Sequence, residues 1–126
     1  MNIVLRTGLC VLIAACLISF IGCGKKADEN KPMTQVQAEA DKMNVEQLKA
    51  AAMEYKNAIA AKKAELKKVA DKLKAIPATE QLGDKAKKLQ EEVVNIGKSV
   101  NALTERFDVY YNKLKEKGGD VSGLEI

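Results

Sequence analysis

Two runs of apolar residues at alternating steps of three and four decide what this chain can become. The first is Val45, Leu48, Ala52, Tyr55, Ile59, Lys62, Leu66, Val69, Leu73 and Ile76, with Lys62 as its one polar member. The second is Leu82, Ala86, Leu89, Val93, Ile96, Val100, Leu103, Phe107, Tyr110 and Leu114, without exception. Nineteen of the twenty positions are apolar, and a 3.5-residue repeat held over more than four heptads is a coiled-coil seam. Period-two alternation is absent, so strands are not expected. Ala, Lys, Leu, Glu and Val dominate the chain after residue 22, the composition of long helices.

Between the runs lies Pro77-Ala78-Thr79-Glu80-Gln81-Leu82-Gly83-Asp84. Pro77 lacks an amide hydrogen and biases Ile76 away from helix, and Asp84 or Thr79 can cap the second helix. A short break between two long helices makes them antiparallel neighbours. The predicted fold is therefore all-α, an antiparallel two-helix coiled-coil hairpin over 44–117. Folding about residues 79 and 80 pairs Leu73 with Ala86, Leu66 with Val93, Ile59 with Val100, Ala52 with Phe107 and Val45 with Leu114. Each helix would be about 48 Å long. Lys62 interrupts the seam opposite Ile96, where its stem can lie on apolar neighbours and its ammonium between Glu65 and Glu92. One polar seam residue of this kind specifies register.

The flanks have their own signals. Asn44-Val45-Glu46-Gln47 reads as a capping box, with Met43 and Leu48 as a hydrophobic staple. Met33, Val36, Ala40 and Met43 share helical spacing in a different phase, which predicts a short extra helix over 33–43. Residues 23–32 read as a polar tether. Gly118-Gly119 ends the last helix, and residues 118–126 are expected to be a flexible tail.

Some chemistry is not expected. The chain has no His, and its carboxylates sit at helix-surface spacing beside lysines, so neither an enzyme nor a cofactor site is predicted. Met33, Met43 and Met53 carry thioethers that suit Cu(I). Their ten-residue spacing does not converge on one helix face, so they read as packing and no metal site is expected. After residue 22 there are 20 basic and 17 acidic residues. The excess concentrates at Lys62, Lys63, Lys67, Lys68, Lys72 and Lys74, with only Glu65 and Asp71 among them. Those lysines form either a solvated face or a contact for anionic lipid headgroups or envelope polymers. No aromatic residues interleave with them, so nucleic acid is not an expected partner. Off the seam, Ala50, Ala51, Met53, Ala58, Ala60, Ala61 and Ala64 on the first helix and Val94, Ala102, Val109 and Tyr111 on the second permit self-association or docking of a partner helix.

At the N-terminus, Arg6 precedes an apolar stretch from about Leu9 to Ile21, and Gly22-Cys23 is followed by polar Gly24-Lys25-Lys26. That order of charge, apolar run and small residue is a secretory signal. With its closing cysteine, Leu17-Ile18-Ser19-Phe20-Ile21-Gly22-Cys23 resembles the lipobox of bacterial lipoproteins. Ile13-Ala14-Ala15-Cys16 also fits the local pattern, although cutting there leaves only a few residues of apolar run. The resemblance implies a signal peptide over 1–22 and acylation of Cys23 by diacylglycerol, usually with a third chain such as palmitate. It also implies a cell-envelope protein held to a membrane surface by lipid, with the outer membrane or periplasmic face favoured. It specifies export and anchoring and no activity, leaving a structural or protein-interaction rod as the expected role.

Overall fold

The computed structural model describes residues 27–126, so the signal peptide and Cys23 lie outside the described residues. The protein is all-helical, with no strand among the described residues. Its elements are α1 (Met33–Lys42), α2 (Val45–Lys74), a single 3₁₀ turn at Ala78–Glu80 and α3 (Asp84–Glu116). The α1–α2 boundary is set by the capping box. Asn44 accepts the Gln47 amide at 2.9 Å, and Gln47 Oε1 accepts the Asn44 amide at 3.0 Å. Each side chain satisfies an amide that the first turn would leave orphaned. The start of α3 departs from expectation. Gly83 occupies the cap position without a side-chain bond, and neither Thr79 nor Asp84 caps the helix. Asp84 is instead its first residue, where a carboxylate meets the positive end of the helix dipole.

Helices α2 and α3 lie side by side in opposite directions. The start of α2 sits beside the end of α3, where Tyr55 stacks on Tyr110 at 5.5 Å between ring centroids. Their other ends are joined by the turn. The seam is buried at Leu48, Ala52, Tyr55, Ile59 and Val69 on α2, at Ile76 just past its end, and at Ala86, Ile96, Leu103, Phe107, Tyr110 and Leu114 on α3. Leu82 does not belong to it: at 88 % exposure it stands in the connection, and Ile76 and Ala86 are the last buried residues on either side of the turn. Pro77 and the 3₁₀ turn hold the chain off the helix axes through this stretch, so the periodic position of Leu82 carries no packing.

A third helix extends the expected pair. Helix α1 runs alongside α3 in the same direction and buries Val36 and Ala40 completely. Asp41 and Lys113 pair at 2.8 Å near its end, and Lys117 Nζ donates to the Met43 carbonyl at 2.6 Å. Met43 and Met53 pack on the same core.

Two segments expected to be loose are docked. The polar stretch before α1 is fixed from Asp28 onward. Its amide donates to the Tyr55 hydroxyl, which donates in turn to the Asp28 carbonyl, both at 3.3 Å. The C-terminal segment also packs. Gly118 has φ +70°, Gly119 donates to the Leu114 carbonyl at 2.9 Å and Gly118 to that of Lys115 at 2.9 Å. This paired motif closes α3 and reverses the chain. A Cβ on Gly119 would fall into the Leu114 side chain and 2.9 Å from Val45 Cγ1, so only glycine lets the backbone turn this tightly here. The chain then runs back along α2. Lys49 pairs with Asp120 at 2.7 Å, Lys56 Nζ donates to the Gly123 carbonyl at 2.7 Å, and Leu124 is buried at 1 % exposure.

Candidate interaction surface

The lysines singled out by sequence lie on the half of the α2–α3 pair beyond the three-helix core. Lys62 is half-buried, and its ammonium stands 3.1 Å from Glu65 Oε2. Of the two carboxylates expected around it, Glu65 is the one within ion-pair distance. Lys63, Lys67, Lys68, Lys72 and Lys74 are all exposed.

Helix geometry divides this set. At 3.6 residues per turn, Ala61, Glu65, Lys68 and Lys72 follow at steps of four, three and four and share one flank of α2. Lys63, Lys67 and Lys74 fall on the other flank. The sequence run is therefore two stripes, and it is not one patch. What sequence alone did not bring out is the contribution of α3. Lys85 and Lys88 join Lys72 around a shallow hollow that also holds Ile76, Leu89 and Glu80. Three lysines and one glutamate line it. Charge counts along the chain could have found this once the connection was closed over Ile76 and Ala86. Residues 60–98 carry ten lysines and six acidic residues, whereas the rest of 27–126 carries eight basic and eleven acidic residues.

The N-terminal segment reaches α2 on the lysine-bearing flank. Ala27, Asp28, Glu29 and Asn30 line a hollow with Ala58, Ala61, Lys62, Glu65 and Leu103. Glu29 Oε2 is buried there without a hydrogen bond. The segment is held by Arg106, itself only 8 % exposed. Its guanidinium donates to the Lys31 carbonyl from Nε at 2.9 Å and from Nη2 at 2.6 Å, and to the Ala102 carbonyl from Nη1 at 2.6 Å. The fork geometry of arginine allows one side chain to grip two backbone oxygens. Nothing in the sequence marks Arg106, because it lies off the seam and its partner is a backbone carbonyl 75 residues away. The tail covers the opposite flank of α2, since Lys49 and Lys56 lie seven residues apart on the side away from Ala58, Lys62 and Glu65.

The titratable groups with displaced pKa values belong to the core half. The hydrogen bond from Lys113 holds the Asp41 carboxyl below its usual value, and that bond, with a second to Glu116, raises Lys113. Hydrogen bonds from Lys49 and Ser122 depress Asp120. Burial raises Tyr110, reinforced by Tyr55 and Glu39 nearby. Each displacement follows from a contact that fastens α1, the tail or the tyrosine stack.

Among the described residues, no three His, Cys, Asp or Glu side chains are grouped to hold a metal ion, and no helix is long and apolar enough to cross a membrane. Comparison with known protein families, with curated proteins and with solved structures gave no match.

Proposed function

We propose that this is a lipid-anchored protein of the bacterial cell envelope, acylated at Cys23, whose helices act as a structural or protein-interaction rod. In this reading α2 and α3 form an antiparallel coiled-coil hairpin, braced at one end by α1 and the tail. The observation that carries the reading is the arm of α2 and α3 that extends past the core. Its seam residues Leu66, Leu73, Leu89 and Val93 are only half-buried, and Val94 is 55 % exposed on its outer side. Ala60, Ala61 and Ala64 leave the α2 side low enough for another helix to approach. An arm of this shape suits a second copy or a partner helix.

Two experiments test the reading. Mass spectrometry of the N-terminal peptide should find acylated Cys23, and Cys23→Ser should block acylation and signal removal while Cys16→Ser leaves both intact. An unmodified peptide beginning elsewhere overturns the anchor. Cysteines introduced singly at Val94 or Ala61 and crosslinked in the native envelope should give discrete adducts. Adducts no more frequent than from a cysteine at Lys115 overturn the arm as the interacting part.

A further inference from the structure

We propose that the flank of the arm bearing Lys68, Lys72, Lys85 and Lys88 is a contact surface for anionic phospholipid headgroups. This contact lays the rod along the membrane instead of letting it stand away from it. The inference rests on acylation of Cys23 and adds an orientation to it.

The first observation is where the chain leaves the domain. Ala27 is already packed beside Ala58, Ala61 and Leu103, near the middle of α2 and far from either end of the rod. Four peptide units separate it from Cys23, a reach of at most about 14 Å even when fully extended. A lipid on Cys23 therefore holds the middle of the rod close to the bilayer. With the anchor at mid-length, either half of the rod can tilt towards the surface.

The second observation is which flank receives residues 27–30. Residues 27–30 join α2 beside Ala61 and Glu65, and the same stripe continues into Lys68 and Lys72. Lys72 in turn lies with Lys85 and Lys88 about one hollow. Ala61 to Lys72 spans roughly 17 Å along the helix. The lysine cluster is thus a short way along the rod from Ala27 and on the flank that residues 27–30 occupy.

Charge selects between the two possible tilts. The arm carries ten lysines against six acidic residues, and the remainder of the described chain has an acidic excess. A negative bilayer attracts the first and repels the second, but only within about a Debye length, roughly 8 Å at physiological salt. The short tether lets the lysines reach the range where that field acts when this half of the rod tilts down. A di- or triacylated cysteine needs no basic patch to stay in the membrane, so the cluster's role is to set orientation. Soluble anionic polymer has matching charge, but nothing in its chemistry requires the cluster to share a flank with the tether.

The test uses the full-length lipidated protein in vesicles of phosphatidylcholine, with and without phosphatidylglycerol. Lysines are acetylated briefly and read by peptide mass spectrometry. Labelling of Lys68, Lys72, Lys85 and Lys88 should slow by about fivefold in the anionic vesicles and recover in high salt. Lys63, Lys67 and Lys74, on the opposite flank, should label alike in both. In the Lys72→Glu, Lys85→Glu, Lys88→Glu triple variant, whose changed residues are all exposed, protection of Lys68 should vanish with helicity unchanged. Equal labelling of the two flanks, or equal labelling in neutral and anionic vesicles, overturns the proposal. So does protection by a soluble anionic polymer on neutral vesicles without protection by anionic lipid. The N-terminal peptide is read in the same digest. Acylated protein that floats with the vesicles but is unprotected removes this inference alone, whereas unacylated Cys23 removes the anchor and the orientation together.

Discussion

The two halves of the α2–α3 pair share one heptad pattern and differ in what surrounds it. In the half holding the chain ends, Leu48, Ala52, Tyr55, Ile59, Leu103, Phe107, Tyr110 and Leu114 form one cluster with Val36 and Ala40 of α1 and with Leu124 of the tail. In the arm, Val69, Ile76, Ala86 and Ile96 are buried, but Leu66, Leu73, Leu89 and Val93 remain half-exposed. A seam between two helices shields its residues from two sides only. The added helix on one flank and the tail on the other complete the burial. An identical repeat thus gives a stable base and a lightly held arm, and the distinction comes from segments outside the repeat.

The sharpest way to break this comparison is to make one substitution in each half. Leu48 is fully buried, so Leu48→Ala should cost about 2–5 kcal/mol. Leu66→Ala removes the same atoms from a half-exposed site and should cost about 1 kcal/mol. Urea unfolding monitored by circular dichroism measures both. Equal costs would mean that the arm is as tightly packed as the base and that its exposed seam residues have no energetic counterpart.

The tail tests whether the covering segments cause the difference. Leu124→Ala empties a site 1 % exposed, but the seven residues after Gly119 can peel away instead of leaving a cavity. A loss of about 2 kcal/mol is expected, near the lower end for a buried leucine. Amides of Lys49 to Lys56 should exchange faster in this variant and amides of Lys67 to Lys74 should not, because local openings follow local packing. Uniform acceleration along α2 would show that base and arm unfold as one unit.

Much of this was legible in the heptads, and the reasons for the rest are specific. The helices, their capping box at Asn44 and the buried seam follow from periodicity and local hydrogen-bond chemistry, which depend on neighbours within a few residues. Leu82 keeps the period but stands exposed, because the periodicity runs on into a turn that spacing alone does not show. The docking of the tail is not legible there, because its attachment rests on one leucine, two glycines and long-range bonds to Lys49 and Lys56. None of these makes a pattern. Adjacency in sequence hides the 100° between successive helical positions, so the division of the lysine run between two flanks shows only on the helix. Its α3 partners, Lys85 and Lys88, become neighbours only after folding.

Arg106 sharpens the comparison from the other flank. Arg106→Met keeps the aliphatic stem but leaves the Lys31 carbonyl without its donor, while the Ala102 carbonyl keeps its helix bond, a loss of about 1–2 kcal/mol. The segment before α1 should become sensitive to protease while the arm keeps its helicity. Lys in place of Arg should rescue only partly, since an ammonium cannot reproduce the fork. Full rescue would reduce the residue to a simple positive charge.

Acid should act on the base and spare the arm. Asp41 and Asp120 both have folded pKa values below the ordinary 3.8, through hydrogen bonds from Lys113 and from Lys49. Groups depressed by folding contribute stability that is present above their unfolded pKa and is lost as pH falls through the folded one. The urea midpoint should therefore drop between about pH 5 and about pH 2. Both carboxylates are fully exposed, so the effect should be small and weaker in salt. The double variant Asp41→Asn, Asp120→Asn should flatten this part of the profile. Tyr110 has the opposite sign, being raised by burial from 10.0. Its contribution is complete below about pH 10 and is lost as pH rises further. An unchanged acid limb in the double variant would place the sensitive carboxylates elsewhere.

Lys62 stands at the border between the two halves, and its replacement should have the smallest effect on stability. It is the one polar seam residue, half-buried and paired with Glu65 in an i, i+3 bridge. Exposed pairs of this kind return about 0–1 kcal/mol, and the stem already covers apolar surface. Lys62→Leu therefore removes little and adds some burial, so a rise in melting temperature of about 4–8 °C or less is expected, the shift that corresponds to roughly 1 kcal/mol. The informative readout is association. With Lys62 in place, a charge interrupts the exposed arm seam where it meets the base. With leucine there, the apolar stripe from Ile59 to Leu66 is continuous, and an uninterrupted seam admits alternative registers and oligomers. Sedimentation velocity should then show more mixed species than for the native chain. A destabilised variant that sediments as a single monomer would mean that the bond to Glu65 outweighs the desolvation of the ammonium and that the lysine is there for stability, leaving the border between base and arm to be set by the covering segments alone.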